Sequence, residues 1–237
     1  MSGVHFTETV HGTAILDTRT GSGRWRTLDP VGTQLWNLIT DGTPAHVAID
    51  IVTSYWAARG NNAVEVRADL GRVVAELSRA QLLGPAVRTL PPSGKRIVRT
   101  ATTDADRTRG RIAVYAGLAL ALVLLRCAPI RWTIAVARAA VRLPGRPATI
   151  AQAQTAHAAV RHAARLWPGR VACLEESLGV HFASAFTGRR TRWVLGVSLL
   201  PPSPHAWIET DDATVIGQAD EDRVWPYVPV LWVDTSN

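Results

Sequence analysis

Length, composition and charge already restrict what this chain can be. Its 237 residues, 47% of them hydrophobic, are enough for two domains with packed cores. The two cysteines, Cys127 and Cys173, have no second cysteine or histidine at the spacing of metal ligands, so we expect no metal site. The net charge is +7, but arginine supplies all but one of the 26 basic residues across the chain, a compositional bias that argues against a nucleic-acid partner.

Residues 1–86 predict a small domain of three strands and three helices. Three short alternating runs are typical of antiparallel strands: 4–9, 13–17 and 24–28. Asp29 and Pro30 provide the cap and first residue of a helix, and apolar residues at helical spacing predict further helices from Thr43 and Val64. A sheet this small leaves an unpaired edge, which is either protected or used to bind a partner.

Residues 87–112 predict a basic linker that contains Pro91, Pro92 and Gly94 and has little apolar content. We expect it to join two units that fold separately, at 1–86 and 113–237. The apolar run at 113–125 is shorter than the ~20 residues that a bilayer requires, so it predicts a buried or amphipathic helix and no transmembrane segment.

Cys173 stands at the start of a predicted helix, because Leu178 and Phe182 are among the apolar residues that recur after it at helical spacing. Free backbone N–H groups and the positive end of the helix dipole favour a thiolate at that position. His205 follows in PHAWIET, whose alternation predicts a strand. The pair could serve as nucleophile and base, and the alternative is a buried structural cysteine with an unrelated surface histidine.

The motifs CLEESL, which begins at Cys173, and PHAWIE, which contains His205, resemble the leader-peptide protease of lasso-peptide biosynthesis, a bacterial transglutaminase-like cysteine protease family. The resemblance implies an α+β fold of transglutaminase-like or papain-like type, with Cys173 as nucleophile and His205 as its base. This family generally has an acidic residue on the strand after the histidine, where it orients the imidazole.

The orienting residue is where this chain departs from the family pattern. If Asp211 and Asp212 form a two-residue turn, His205 faces Gln218, and Asp220 lies two residues further along the same face. An amide oxygen can accept the ring N–H, so Gln218 is the first choice and Asp220 the second.

The segments AILDTRTGSGRWRTLDPVGTQLWNLITDG and AELSRAQLL resemble the PqqD-like peptide-recognition domain of ribosomal-peptide biosynthesis, a winged-helix-like fold. Members of that family bind a precursor's leader as an added strand along the third strand, against the third helix. The resemblance implies contacts from Arg24, Trp25, Arg26, Thr27, Asp69, Arg72, Val73 and Glu76. A winged helix that reads DNA is the alternative, but 7 basic against 8 acidic residues in 1–86 argue against it.

Together the two resemblances imply a fused leader peptidase that binds the leader of a precursor peptide and hydrolyses the leader–core bond during lasso-peptide maturation. Its expected partners are that precursor and a separate ATP-dependent lasso cyclase, and no cofactor is expected. The missing signal-peptide pattern and the reduced thiols suggest a cytoplasmic enzyme. A transglutaminase-type amide-forming enzyme and a non-catalytic peptide-binding adaptor remain the alternatives.

Overall fold

The N-terminal unit is built on a sheet of short strands. The computed structural model describes residues 3–84, 86–89, 98–100, 111–217 and 226–234. The strands of this sheet are β1 (Val4–Thr9), β2 (Gly12–Asp17), β3 (Arg24–Leu28) and β4 (Val87–Arg88). β1 pairs antiparallel with β2 and parallel with β4, and β2 pairs antiparallel with β3. In the described sheet, β3 therefore lies at an edge.

Three helices cover one face of this sheet: α1 (Pro30–Thr40), α2 (Ala45–Ala57) and α3 (Ala63–Arg79). The first begins where the sequence predicts, because the Asp29 carboxylate accepts a hydrogen bond of 2.7 Å from the Gly32 N–H. Trp36 is buried beside Ile15 and Leu77, and its indole N–H donates to the Leu82 carbonyl at 3.0 Å. The predicted three strands and three helices are present, with β4 as an additional strand.

The C-terminal unit packs helices on a second sheet, whose strands are β5 (Val98–Thr100), β8 (Arg192–Leu199), β9 (Pro202–Glu209), β10 (Val215–Gly217) and β11 (Val228–Val233), in the order β11-β8-β9-β10-β5. Its helices are α4 (Arg111–Cys127), α5 (Ile130–Val141), α6 (Ile150–Arg165) and α7 (Cys173–Phe186). A two-stranded ribbon joins β6 (Arg146–Pro147) to β7 (Arg189–Arg190). The chain is thus of the expected α+β class.

Among the described helices, none has both the length and the apolar composition needed to span a bilayer.

The predicted linker contains parts of both sheets. β4 extends the first sheet along β1, and β5 pairs in parallel with β10 in the second. Two short segments inside the predicted linker 87–112 thus form strands, one in each sheet. Such strands of two or three residues have little signal of their own, because their stability comes from the partner strand.

Residues of the N-terminal unit pack into the core of the C-terminal unit. Every residue of β2 is buried. Ile15 packs under the helices of its own unit, whereas Ala14 and Leu16 belong to the apolar core of the C-terminal unit. The Thr89 hydroxyl also donates to the Val230 carbonyl at 2.6 Å, which ties the residue directly after β4 to β11.

Gly117 marks the closest approach of α4 to α7. A Cβ added there would lie 2.7 Å from the Ala183 nitrogen and 2.8 Å from the Gly179 oxygen, and both are backbone atoms that cannot move independently of α7. We expect Gly117→Ala to reduce the free energy of unfolding by about 3 kcal/mol, because it forces the two helices apart.

Urea denaturation of the whole chain measures this change, and Gly71→Ala in α3 is the matched control. A Cβ at Gly71 meets nothing within 4 Å, so that substitution should be neutral or stabilise the helix by up to about 1 kcal/mol. Equal midpoints for the two variants would contradict the close approach at Gly117.

Candidate active site and peptide groove

Cys173 is the first residue of α7, as its sequence context predicts, and its side chain is partly buried. The first helical hydrogen bond runs from the Glu176 N–H to the Ala172 carbonyl at 3.0 Å, so the N–H groups of Cys173 and Leu174 have no acceptor inside the helix. The Glu175 carboxylate accepts from the Ala172 N–H at 3.0 Å and fixes the entry of the chain into α7. Amide donors next to a thiol can stabilise an oxyanion formed on a carbonyl carbon that the thiol attacks.

Two buried hydrogen bonds fix the position of α7 along the sheet. The Trp193 indole N–H donates to the Ser177 hydroxyl at 3.0 Å. One turn further on, His181 Nδ1 lies 3.4 Å from the Thr191 hydroxyl. Since one helical turn and two strand residues advance by similar lengths, about 5–7 Å, Cys173 lies level with the β8 residues that follow Trp193.

His205 lies in β9 directly opposite Gly196 of β8, and it is half-buried. Its ring stacks on Tyr227 at a centroid distance of 4.5 Å and lies 6.1 Å from the Trp207 ring. Burial lowers the pKa of the His205 imidazole below its ordinary value of 6.5. The ring is therefore neutral near pH 7, which is the form required of a general base.

Cys173 and His205 lie at the same end of the sheet but approach β9 from different faces. Ala206 and Ile208 belong to the core that α7 covers, so His205, which alternates with them, emerges on the opposite face. The assignment of the two residues as a catalytic pair stays a prediction.

A polar network that the sequence did not predict lies on the same face of the sheet as His205. The Glu209 carboxylate is almost fully buried, accepts from the Trp207 indole N–H at 2.7 Å and lies 3.5 Å from the Arg192 guanidinium. The Trp207 ring leans over Gly196, where an added Cβ would lie 2.4 Å from Cη2 of the ring. The alternation of His205, Trp207 and Glu209 in HAWIE is the signal that places all three on one face.

The turn after β9 is longer than the predicted two-residue turn. Glu209 pairs with Val215, so residues 210–214 form the connection, and Ala213 has a positive φ of 61°. The Asp212 carboxylate accepts from the Thr214 N–H at 3.3 Å and from the Thr210 hydroxyl, which confirms a turn role for this aspartate. The expected pairing of His205 with Gln218 assumed a two-residue turn, and the observed register does not support it. Gln218 and Asp220 themselves lie outside the described residues.

Three further histidines are buried elsewhere in the fold, in β1, in α6 and in the second half of α7: His5, His157 and His181. Burial is the main cause of a lowered pKa at each, to about 4 for His5 and His157. The described parts of the chain contain no group of three histidine, cysteine or acidic side chains that could hold a metal ion.

Comparison with known proteins identifies the C-terminal unit. Residues 114–230 match the transglutaminase-like superfamily. The chain carries a transglutaminase-like domain. No curated protein and no solved structure matches the chain. The superfamily generally contains cysteine-dependent enzymes, so the domain indicates a thiol protease or an amide-forming enzyme. The matched residues include both Cys173 and His205.

A groove with a volume of about 650 Å³ lies outside the transglutaminase-like domain, between β3 and α3. Four of the eight predicted leader-binding residues line it: Arg24, Arg26, Arg72 and Glu76. The Arg26 guanidinium lies 3.8 Å from the Glu76 carboxylate, across the groove. The edge strand and the third helix thus form one concave surface.

The other four predicted contacts have different environments. Trp25 packs against the core shared with the transglutaminase-like domain, and Val73 packs between the helices of its own unit. Asp69 is paired with Arg72 on the exposed surface of α3. Thr27 is exposed on β3 and alternates with Arg26, so it faces away from the groove.

Proposed function

We propose that this chain is a cysteine protease that hydrolyses the leader–core bond of a ribosomally made precursor peptide during lasso-peptide maturation. The observation that carries the proposal is the position of Cys173, the first residue of a helix within a transglutaminase-like domain. In favour of His205 as the base, its imidazole is neutral near pH 7 and lies at the same end of the sheet as Cys173, although it emerges on the face opposite α7. The resemblance of CLEESL and PHAWIE to the lasso leader peptidase supplies the substrate class.

In the proposed reaction, His205 takes the thiol proton and the Cys173 sulfur attacks the carbonyl carbon of the leader–core bond. The N–H groups at the start of α7 donate to the oxyanion. His205 then gives its proton to the leaving amine of the core, and water hydrolyses the thioester to release the leader. Gln218 or Asp220 would orient the imidazole. The chemistry requires the imidazole and the thiol to come within hydrogen-bonding reach when the substrate is bound.

The N-terminal unit, which we assign to residues 1–86 with β4, would hold the leader as an added strand on β3. In the described part of the chain β3 is an edge strand, and this edge and the groove beside it support this part of the proposal. Backbone hydrogen bonds would supply affinity, and the groove would supply selectivity. Holding the leader also raises the effective concentration of the scissile bond at Cys173 without further contacts there.

The released core carries a new N-terminal amine. By the resemblance, a separate ATP-dependent cyclase in the cytoplasm would join that amine to a side-chain carboxylate of the core. No cofactor is needed for the hydrolysis itself, since nucleophile, base and water account for every bond that is made or broken.

The test is incubation of the whole protein with the precursor peptide encoded beside its gene, followed by mass spectrometry. We expect two products whose summed mass equals that of the precursor plus one water. Cross-linked or aminated product would instead identify an amide-forming enzyme, and recovery of intact precursor would contradict both enzymatic functions.

A non-catalytic peptide-binding adaptor is the second candidate function. It is favoured by one observation, that His205 emerges from β9 on the face opposite the one that α7 and Cys173 cover. An adaptor would bind the precursor and leave it intact, so the same incubation, combined with a binding measurement, separates the two functions.

A further inference from the structure

The groove between β3 and α3 is strongly basic. Five arginines line it, Arg19, Arg24, Arg26, Arg72 and Arg79, against two acidic residues, Asp17 and Glu76. This local excess contrasts with the N-terminal unit as a whole, where 7 basic residues face 8 acidic ones over 1–86. The arginines are therefore concentrated at this surface.

The partners of these arginines differ, and the differences show which charges are available. The Arg19 guanidinium already has its hydrogen-bond partners within the protein. It forms two hydrogen bonds of 2.9 Å to the Asp17 carboxylate and donates to the carbonyls of Ala80 and Gln81. Arg72 is paired with Asp69. Arg24 and Arg79 have no ion-pair partner among the described residues.

Arg26 is only partly satisfied. Its Nε atom is buried and has no hydrogen-bond partner in the described structure, and the Glu76 carboxylate lies at 3.8 Å, beyond hydrogen-bonding distance. A buried N–H of a charged group without an acceptor is costly, so a carboxylate that entered the groove would gain an unusually good partner here.

The spacing of the cations follows from the strand and the helix that carry them. Arg24 and Arg26 are two residues apart on β3 and face the same side. On α3, Arg72, Glu76 and Arg79 follow one another at four and three residues, which places them on one helix face. Glu76 lies beside Arg26, and the end of α3 is tied to Arg19 near Asp17, the register partner of Arg24. Arg79 therefore lies towards Arg24.

We propose that the groove selects an extended peptide segment with two acidic side chains at positions i and i+2. This inference rests on the proposed peptide capture and names the chemistry that the captured segment must have. In a strand added to β3, residues two apart face the same side, and those opposite Arg24 and Arg26 point towards α3. One carboxylate meets Arg24 and Arg79, and the other meets Arg26.

Selection from a phage-displayed library of random 12-residue peptides on the immobilised whole protein tests this inference. We expect enriched sequences to carry Asp or Glu pairs at i and i+2. The double variant Arg24→Glu with Arg79→Glu should lose about tenfold or more in affinity for the most enriched peptide, measured by fluorescence polarisation. Arg24→Gln with Arg79→Gln should lose less, and a thermal melt of each variant shows that it is folded.

Arg165→Glu, an exposed change in α6 of the transglutaminase-like domain, is the matched charge control and should leave the affinity unchanged. Enriched peptides without an acidic excess, or an acidic excess that survives the Glu and Gln variants of Arg24 and Arg79, would overturn the inference and leave peptide capture intact. Failure to enrich any peptide would overturn both, while cleavage of the precursor remains a separate measurement on the same protein.

Discussion

Replacing Cys173 with alanine should abolish hydrolysis of the precursor, lowering the rate by at least ~10³-fold, because no other group can form the acyl intermediate. Binding of the leader should be unchanged, since the groove on β3 and α3 contains no part of α7. The rate is measured by mass spectrometry over time and the affinity by fluorescence polarisation with a labelled leader.

Cys127→Ala is the matched control, because Cys127 is the other cysteine of the chain and is exposed at the end of α4. That variant should process the precursor at the wild-type rate. Equal processing by the Cys173→Ala and wild-type proteins would exclude the thiol mechanism. A precursor left intact by both the wild type and the variants, but still bound by them, would identify the adaptor.

Acidification should destabilise the protein strongly between about pH 6.5 and pH 4. His5 and His157 are buried, and each has a folded-state pKa of about 4, far below the ordinary value of 6.5. In this range the unfolded chain binds protons that the folded chain cannot, so the free energy of unfolding falls as the pH falls. A displacement from 6.5 to about 4 corresponds to on the order of 3 kcal/mol for each residue.

Urea denaturation at a series of pH values measures this loss, and the slope against pH is the quantity that matters. His157→Gln should flatten the slope between pH 6.5 and pH 4 whatever it does to stability at neutral pH. The exposed His162 lies on the same helix, so His162→Gln is the control and should leave the slope unchanged. Identical slopes for wild type and His157→Gln would contradict the assignment of a buried, neutral histidine.

Most helices could be predicted because their start signals are local. The Asp29 cap with Pro30 precedes α1, and Thr149 with Gln152 forms a reciprocal cap at the start of α6. Cys173 at the start of α7 was likewise readable from apolar spacing alone. Such signals lie within a few residues of the element that they define, so a single sequence contains them.

Strand pairing and orientation were less predictable, because they depend on partners distant in the sequence. The turn after β9 has five residues, 210–214, and includes Ala213 with a positive φ, so the register with β10 differs from the one that a two-residue turn predicts. The face from which His205 emerges depends on the side that α7 covers, and the pattern of PHAWIET does not contain that information. The side chain of Trp25 packs against the core of the C-terminal unit, and this contact likewise depends on where that unit lies.

The burial of β2 on both sides has a mechanical consequence. A strand enclosed by helices of its own unit and by the neighbouring core leaves little freedom for one half of the molecule to swing against the other. The distance between the basic groove and Cys173 would therefore be fixed. In a peptide bound at the groove, only a bond that lies the right number of residues from the bound segment would reach the sulfur.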